Sequence, residues 1–265
     1  MSNGQSAALW FGILGCFPLT AVGERNIGWE TFSANVAERT ALTAGAEYLD
    51  GRNIEARDYD GVTLNAPVVQ LNVRLGDRGE AQMGYTLWRT LRSDAVDTAN
   101  GGDPWFFTKI NVVSQGDYTP ATAFIWGVLE PAANPPVGAD NLAFYALFAF
   151  SQEWANWRVD LNVGTGIYES DRHNRQDDVT LLNSALWYRY NPLTQLGIEF
   201  NYAEEVTSRW FDFTETVESE YRRRRIALTG RYGTGYQGFA TVSAGLAEQS
   251  EAWGLALGFR YRFGH

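Results

Sequence analysis

The chain has 265 residues, of which 45% are hydrophobic, 14% aromatic and 20% charged. That is enough for one sizeable domain and too aromatic for a disordered chain. The formal net charge of −10 argues against a general nucleic-acid binder, and a single cysteine, Cys16, excludes an intrachain disulfide framework or a cysteine-built zinc site.

Ala7–Leu19 is an apolar run too short for a spanning helix, and no apolar stretch of about 18 residues occurs elsewhere. Three readings of residues 1–23 stand side by side. The small-x-small triplet Ala21-Val22-Gly23 fits a signal peptide cleaved before Glu24, although Met1–Ser6 carries no Lys or Arg. Ile13-Leu14-Gly15-Cys16 fits a lipoprotein signal with lipid on Cys16. The same residues also fit a first β-strand. Residues 24–265 read as one domain.

From there the hydrophobic period is two rather than 3.6. Strands are expected at about 26–36, 42–48, 69–75, 81–87, 105–114, 120–130, 141–151, 157–167, 179–190, 196–202, 222–232, 236–247 and 255–263. The clearest is 157–167, where Trp157, Val159, Leu161, Val163, Thr165 and Ile167 alternate with Arg158, Asp160, Asn162, Gly164 and Gly166. Segment 141–151 is apolar on both faces. Most runs have about 10 residues, the length of a tilted bilayer-crossing strand. Short connections (Ala37–Arg39, Gly76–Gly79, Gln152–Asn156, Asn191–Thr194, Gly233–Gly235) alternate with long ones (Asp50–Ala66, Arg92–Pro104, Pro131–Asp140, Glu169–Asp178, Ala203–Tyr221). Short turns on one side and long loops on the other are the pattern of outer-membrane barrels.

Three features favour a membrane over water around this sheet. The polar face holds Gly, Asn, Thr and Gln with isolated charges, not the dense Lys and Glu of a solvated face. Aromatic residues gather toward strand ends at Tyr168, Trp187, Tyr188, Tyr190, Tyr202, Tyr232 and Tyr261, as interfacial girdles do. The closing strand Gly258–Phe263 ends on an aromatic residue and resembles the signal read by the outer-membrane barrel assembly machinery. The expected fold is therefore all-β, an antiparallel transmembrane β-barrel. Single-chain bacterial barrels have even strand numbers. Thirteen candidates give 12 if 26–36 lies outside the wall, or 14 if residues 7–17 add a strand; 12 is favoured.

From about Ala66 to Phe263 the chain resembles the transporter-like outer-membrane barrels of the family named for the MetA pathway of phenol degradation. The resemblance is carried by the hairpin Val69–Leu87 with its Gly-Asp-Arg turn, by Lys109 and Pro131 in Phe107–Pro131, and by Asp140, Phe150, Ser151, Asn162 and Gly164 in Asp140–Gly166. Glu199 in Leu196–Ala203 and the closing hairpin within Ile226–Phe263 complete it. It implies a barrel topology far more than a substrate.

Gly233-x-Gly235-x-x-Gly238 matches the dinucleotide fingerprint as a string, but it lies between two strands and reads as a turn. His173, in the charged loop Glu169–Asp178, is the one candidate base for a Ser–His lipid hydrolase; a solvated loop histidine is the simpler reading. Glu169, Asp171, Asp177 and Asp178 in that loop lack the spacing of a calcium loop. No metal or other cofactor is expected.

Lys109, the single lysine among 21 basic residues, is expected to face the lumen together with Asn111, Arg158, Asp160, Asn162, Glu199, Asn201 and Arg231. Asp160 or Glu199 is its expected partner, as a brace or as part of a selective path. Arg222, Arg223, Arg224 and Arg225 open a strand beside a long loop; those facing outward suit lipopolysaccharide phosphates. The sequence thus points to a non-enzymatic channel in the outer membrane of a Gram-negative bacterium. It would pass a small solute, aromatic or hydrophobic in character. A barrel-embedded lipid hydrolase and a non-conducting structural barrel are the alternatives.

Overall fold

The computed structural model describes residues 27–51, 61–93, 97–133, 142–170, 175–205, 222–247 and 250–264. Fourteen strands occur among them: β1 (Ala41–Gly51), β2 (Gly61–Leu75), β3 (Gly79–Thr86), β4 (Arg89–Ser93), β5 (Asp97–Asn100), β6 (Trp105–Val113), β7 (Ala121–Leu129), β8 (Ala143–Trp154), β9 (Trp157–Ser170), β10 (Arg175–Arg189), β11 (Thr194–Glu205), β12 (Arg222–Gly233), β13 (Tyr236–Gly245) and β14 (Trp253–Arg262). All pairings are antiparallel and follow chain order except that β3 pairs with β6 and β4 with β2, and β1 pairs with both β2 and β14, which closes the sheet. Twelve strands make the wall. The short hairpin β4–β5 continues β3 and β6 toward the long-loop rim, with β4 pairing to Gly61–Asn65 of β2. Closure leaves no strand edge to satisfy, a requirement in hydrocarbon.

The two faces of the wall are inverted relative to a water-soluble protein. Inward positions are buried and largely polar, among them Gln70, Asn72, Gln82, Thr229, Thr241 and Ser243. Outward positions carry exposed apolar side chains, such as Leu228 at 60% and Phe259 at 59%. An apolar exterior around a polar interior is stable only in lipid. Aromatic pairs mark both rims. Trp157–Tyr188 and Tyr236–Tyr261 lie toward the short turns, with ring centroids 4.6 and 4.8 Å apart, and Tyr48–Trp253 lies toward the long loops at 5.1 Å.

Several expectations change. Residues 27–36 lie outside the wall, as the favoured count of 12 requires; they run inside the barrel, so Ala37–Arg39, expected as a short turn between strands, ends an interior segment instead. The expected loop Arg92–Pro104 contains β5 and part of β4. The inward set of β2 shifts from Thr63 and Asn65 to Val68, Gln70 and Asn72 across the cis peptide Ala66–Pro67. A one-residue slip exchanges the two faces of a strand. The partner strand breaks at the same level, at Leu87 and Trp88, where Ala66 N donates to Trp88 O and Leu87 N to Pro67 O. This double break hid β4 from a simple alternation. Trp187 is buried inside the barrel at 2% exposure rather than standing in a girdle, because it shares the phase of Asn183 and Ala185. The apolar-on-both-faces strand is β8, whose inward Leu147 and Ala149 pack with Phe32, Phe107 and Ile125 in an apolar half of the lumen. The glycine triplet 233–238 is the β12–β13 turn and the start of β13.

Candidate functional site in the barrel lumen

Residues 27–40 thread the lumen lengthwise without forming a strand. Glu30 lies level with the start of β12, at the long-loop rim, and Ala37 meets Glu80 at the start of β3, at the short-turn rim. A buried backbone without a ladder leaves its N–H and C=O groups to be satisfied by side chains. The inward wall supplies them in order. Glu199 Oε1 accepts the N–H groups of Glu30 and Thr31. Asn162 accepts from Phe32 N at 2.7 Å and donates to Phe32 O at 2.8 Å. Ser151 Oγ accepts from Ala34 N at 2.7 Å, and Asn111 donates to Ala34 O at 3.1 Å. Glu80 Oε2 accepts from Ala37 N at 2.8 Å.

The lone lysine completes this set. Lys109 Nζ donates to Ser33 O at 3.2 Å and Asn35 O at 2.8 Å, and it lies 2.9 Å from Glu80 Oε2. Both side chains of this ion pair are buried. Glu80, rather than Asp160 or Glu199, is the partner because it stands directly opposite Lys109 in the β3–β6 register. Asp160 is held by Arg158 Nε at 3.0 Å and by Ser151 Oγ at 2.6 Å, and Glu199 is occupied by the threaded backbone.

All eight residues singled out as lumen candidates are buried on the inward face. Lys109, Asn111, Asn162 and Glu199 touch the threaded segment directly. Arg158 and Asp160 brace Ser151 behind it. Asn201 donates to Asn183 Oδ1 at 3.2 Å. Arg231 stacks on Trp187, 3.8 Å from the ring centroid, and Trp29 lies against the same indole with ring centroids 4.5 Å apart. The arginine run divides by alternation. Arg223 and Arg225 turn inward to carboxylates, which removes them as lipopolysaccharide contacts. Arg224 lies over Tyr202 and 3.3 Å from Glu204. The side chain of Arg222 lies outside the described residues, as do Cys16 and His173.

Arg223 and Arg225 form a four-membered charge cluster with Glu30 and Glu251. Glu30 Oε1 accepts from Arg223 and Arg225, each at 2.9 Å, and Glu251 lies 3.3 Å from Arg225 Nε and 3.5 Å from Arg223. Arg225 also donates to Gly28 O. Beside the cluster lies a cavity of about 220 Å³ between the threaded segment and β8, β10, β11 and β12. Among the described residues no cluster of His, Cys, Asp and Glu has metal-site geometry.

Glu30, Glu80, Ser151 and Glu251 were not among the sequence candidates. Glu80 was within reach, since it shares the phase of Gln82 and Gly84 opposite Ala81 and Met83. Glu30 was not, because 27–40 has no partner strand from which a facing could be read.

A closed twelve-stranded sheet with a lipid-facing apolar exterior and an occupied polar lumen defines the class of outer-membrane β-barrels. No family model and no curated protein matches the sequence. Solved structures do match in fold. The COG4313 outer membrane channel from Pseudomonas putida F1 is 15% identical with a TM-score of 0.62, covering 84% of this chain and 94% of that one. The NanC porin is 8% identical with a TM-score of 0.57, covering 84% and 100%. The translocator domain of the autotransporter NalP from Neisseria meningitidis is 13% identical with a TM-score of 0.52, covering 86% and 89%.

Proposed function

We propose that this protein is an outer-membrane channel of a Gram-negative bacterium, closed by its own residues 27–40 and opened when that segment withdraws. The observation that carries this reading is how the segment is held. It forms no ladder with the wall; separate side-chain hydrogen bonds and ion pairs pin it, each contributing about 0.5–1.5 kcal/mol net, or about 1.5–3 where a charged group takes part. Such a segment is removable one contact at a time, whereas a wall strand is not. The descriptions of two similar folds as a channel and a porin agree with passage rather than catalysis. The apolar half of the lumen, with Phe32 5.2 Å from Phe107 and Phe107 stacked on Trp105 at 4.6 Å, suits a small aromatic or hydrophobic solute. So does the resemblance of residues 66–263 to the phenol-pathway barrels.

A reversible lock tests it. Ser33 Oγ and Ser151 Oγ lie 3.2 Å apart, on the segment and on the wall. In a Cys16→Ser background, Ser33→Cys with Ser151→Cys should form a disulfide on oxidation. Proteoliposomes holding the oxidised protein should exclude small solutes, and reduction should admit them. If deletion of residues 27–37 gives no solute flux either, the barrel is a non-conducting structural one.

A further inference from the structure

The charge cluster at the long-loop end and the cavity beside it form one compartment. Phe32, Tyr145, Leu147 and Leu181 line it together with Asn183 and Asn201, and Glu30 and Arg223 border it. The cluster sets two guanidinium groups against the carboxylates of Glu30 and Glu251, with Glu199 close by on the Glu30 backbone. Its members are not equally accessible. Arg225 and Glu251 are buried at 3% and 4%, while Glu30 and Arg223 are 21% and 32% exposed. The accessible anion is thus the one carried by the threaded segment. Both arginines converge on a single one of its oxygens, a geometry that any other carboxylate can reproduce.

We infer that this compartment binds a small monocarboxylate with an apolar, ring-sized body, and that the ligand's carboxylate takes the place of Glu30 on Arg223 and Arg225. The exchange supplies one carboxylate where another is displaced. A neutral or cationic solute offers the buried guanidinium of Arg225 no anion in place of Glu30, a costly loss for a group so little exposed to water. The apolar body fills the cavity against Tyr145, Leu147 and Leu181, which selects against bare anions. Binding also detaches the Glu30 side chain from the wall, so the ligand begins its own admission. That consequence rests on the channel reading; the binding site does not.

The test is titration calorimetry of benzoate against the folded protein in detergent, with benzyl alcohol, benzylammonium and acetate as comparison probes. Benzoate should bind saturably and the other three at least about tenfold more weakly. Glu30→Gln removes the internal competitor and should tighten benzoate binding about tenfold, whereas Arg223→Gln should weaken it by a similar factor. Benzyl alcohol binding as tightly as benzoate overturns the anion site. Acetate binding equally well overturns the role of the cavity. Unchanged or weaker benzoate binding in Glu30→Gln overturns the exchange, and because this variant is expected to gain affinity, misfolding cannot imitate success. Benzoate flux into liposomes is read separately: binding without flux refutes the channel, and flux without binding refutes this site.

Discussion

Asn162 meets Phe32 as one strand meets another: its carboxamide oxygen takes the Phe32 N–H at 2.7 Å and its amide nitrogen serves the Phe32 carbonyl at 2.8 Å. A single side chain thereby replaces a two-bond strand pairing at the centre of the lumen. Asn162→Leu removes both bonds while keeping similar bulk. The closed state should lose about 2 kcal/mol, which corresponds to a roughly thirtyfold rise in the open-to-closed ratio. Single-channel recording in planar bilayers reads this directly. An unchanged open probability would mean that the threaded segment is held elsewhere.

The Lys109–Glu80 pair predicts an asymmetry between single and double replacement. Lys109→Met strands a buried carboxylate and should cost about 3–5 kcal/mol of stability. Adding Glu80→Gln removes the stranded charge and should recover most of that loss. Urea unfolding in lipid or detergent, followed by heat-modifiable gel migration, measures both. Equal stability of the single and double variants would show that the pair is not energetically coupled.

Gly197 tests the packing beneath the arginines. A β-carbon built there would lie 2.6 Å from Cε3 of Trp187. Gly197→Ala must push the indole off its place against Trp29 and Arg231, at a cost of about 1–3 kcal/mol, with a change in near-ultraviolet circular dichroism. A second replacement, Trp187→Leu, should restore most of the stability by vacating the contested space.

The lipid-facing assignment has its own check. Leu228 sits mid-strand on the outer face of β12, next to inward Thr229. Leu228→Arg should destabilise the barrel by about 2–4 kcal/mol in a bilayer, the range for a cation near the midplane. A neutral effect would place this face in water.

How much of this was legible in the sequence follows from what each residue has beside it. Wall strands such as β9 and β11 announce themselves because every second residue faces lipid, so Leu161 and Asn162 must differ in kind. The closing hairpin and the polar inward face came from the same alternation. What failed lacked that constraint. Trp187 is chemically suited to either a girdle or an interior, and only its phase with Asn183 decides. Lys109 stands apart in the sequence by its rarity, but its partner depends on which strand lies alongside and in what register. That strand is β3, the neighbour that the strand order already implies, but the register that sets Glu80 opposite Lys109 is not given by alternation. The threaded segment was least legible. Many of its hydrogen bonds to the wall fall on its backbone, and a backbone carries no signature in the sequence.

The contacts on residues 28–37 have a mechanical order. Arg225, Glu199, Asn162, Ser151 and Glu80 grip the segment one after another along its length, and its far end continues covalently into β1. A force or a ligand acting at the Glu30 end therefore loads these grips in series, as in peeling tape, rather than all at once as in shear. Peeling advances through discrete steps under a modest load. The current through a single molecule should accordingly climb in a staircase of partial levels, with the last step set by Glu80 and Lys109.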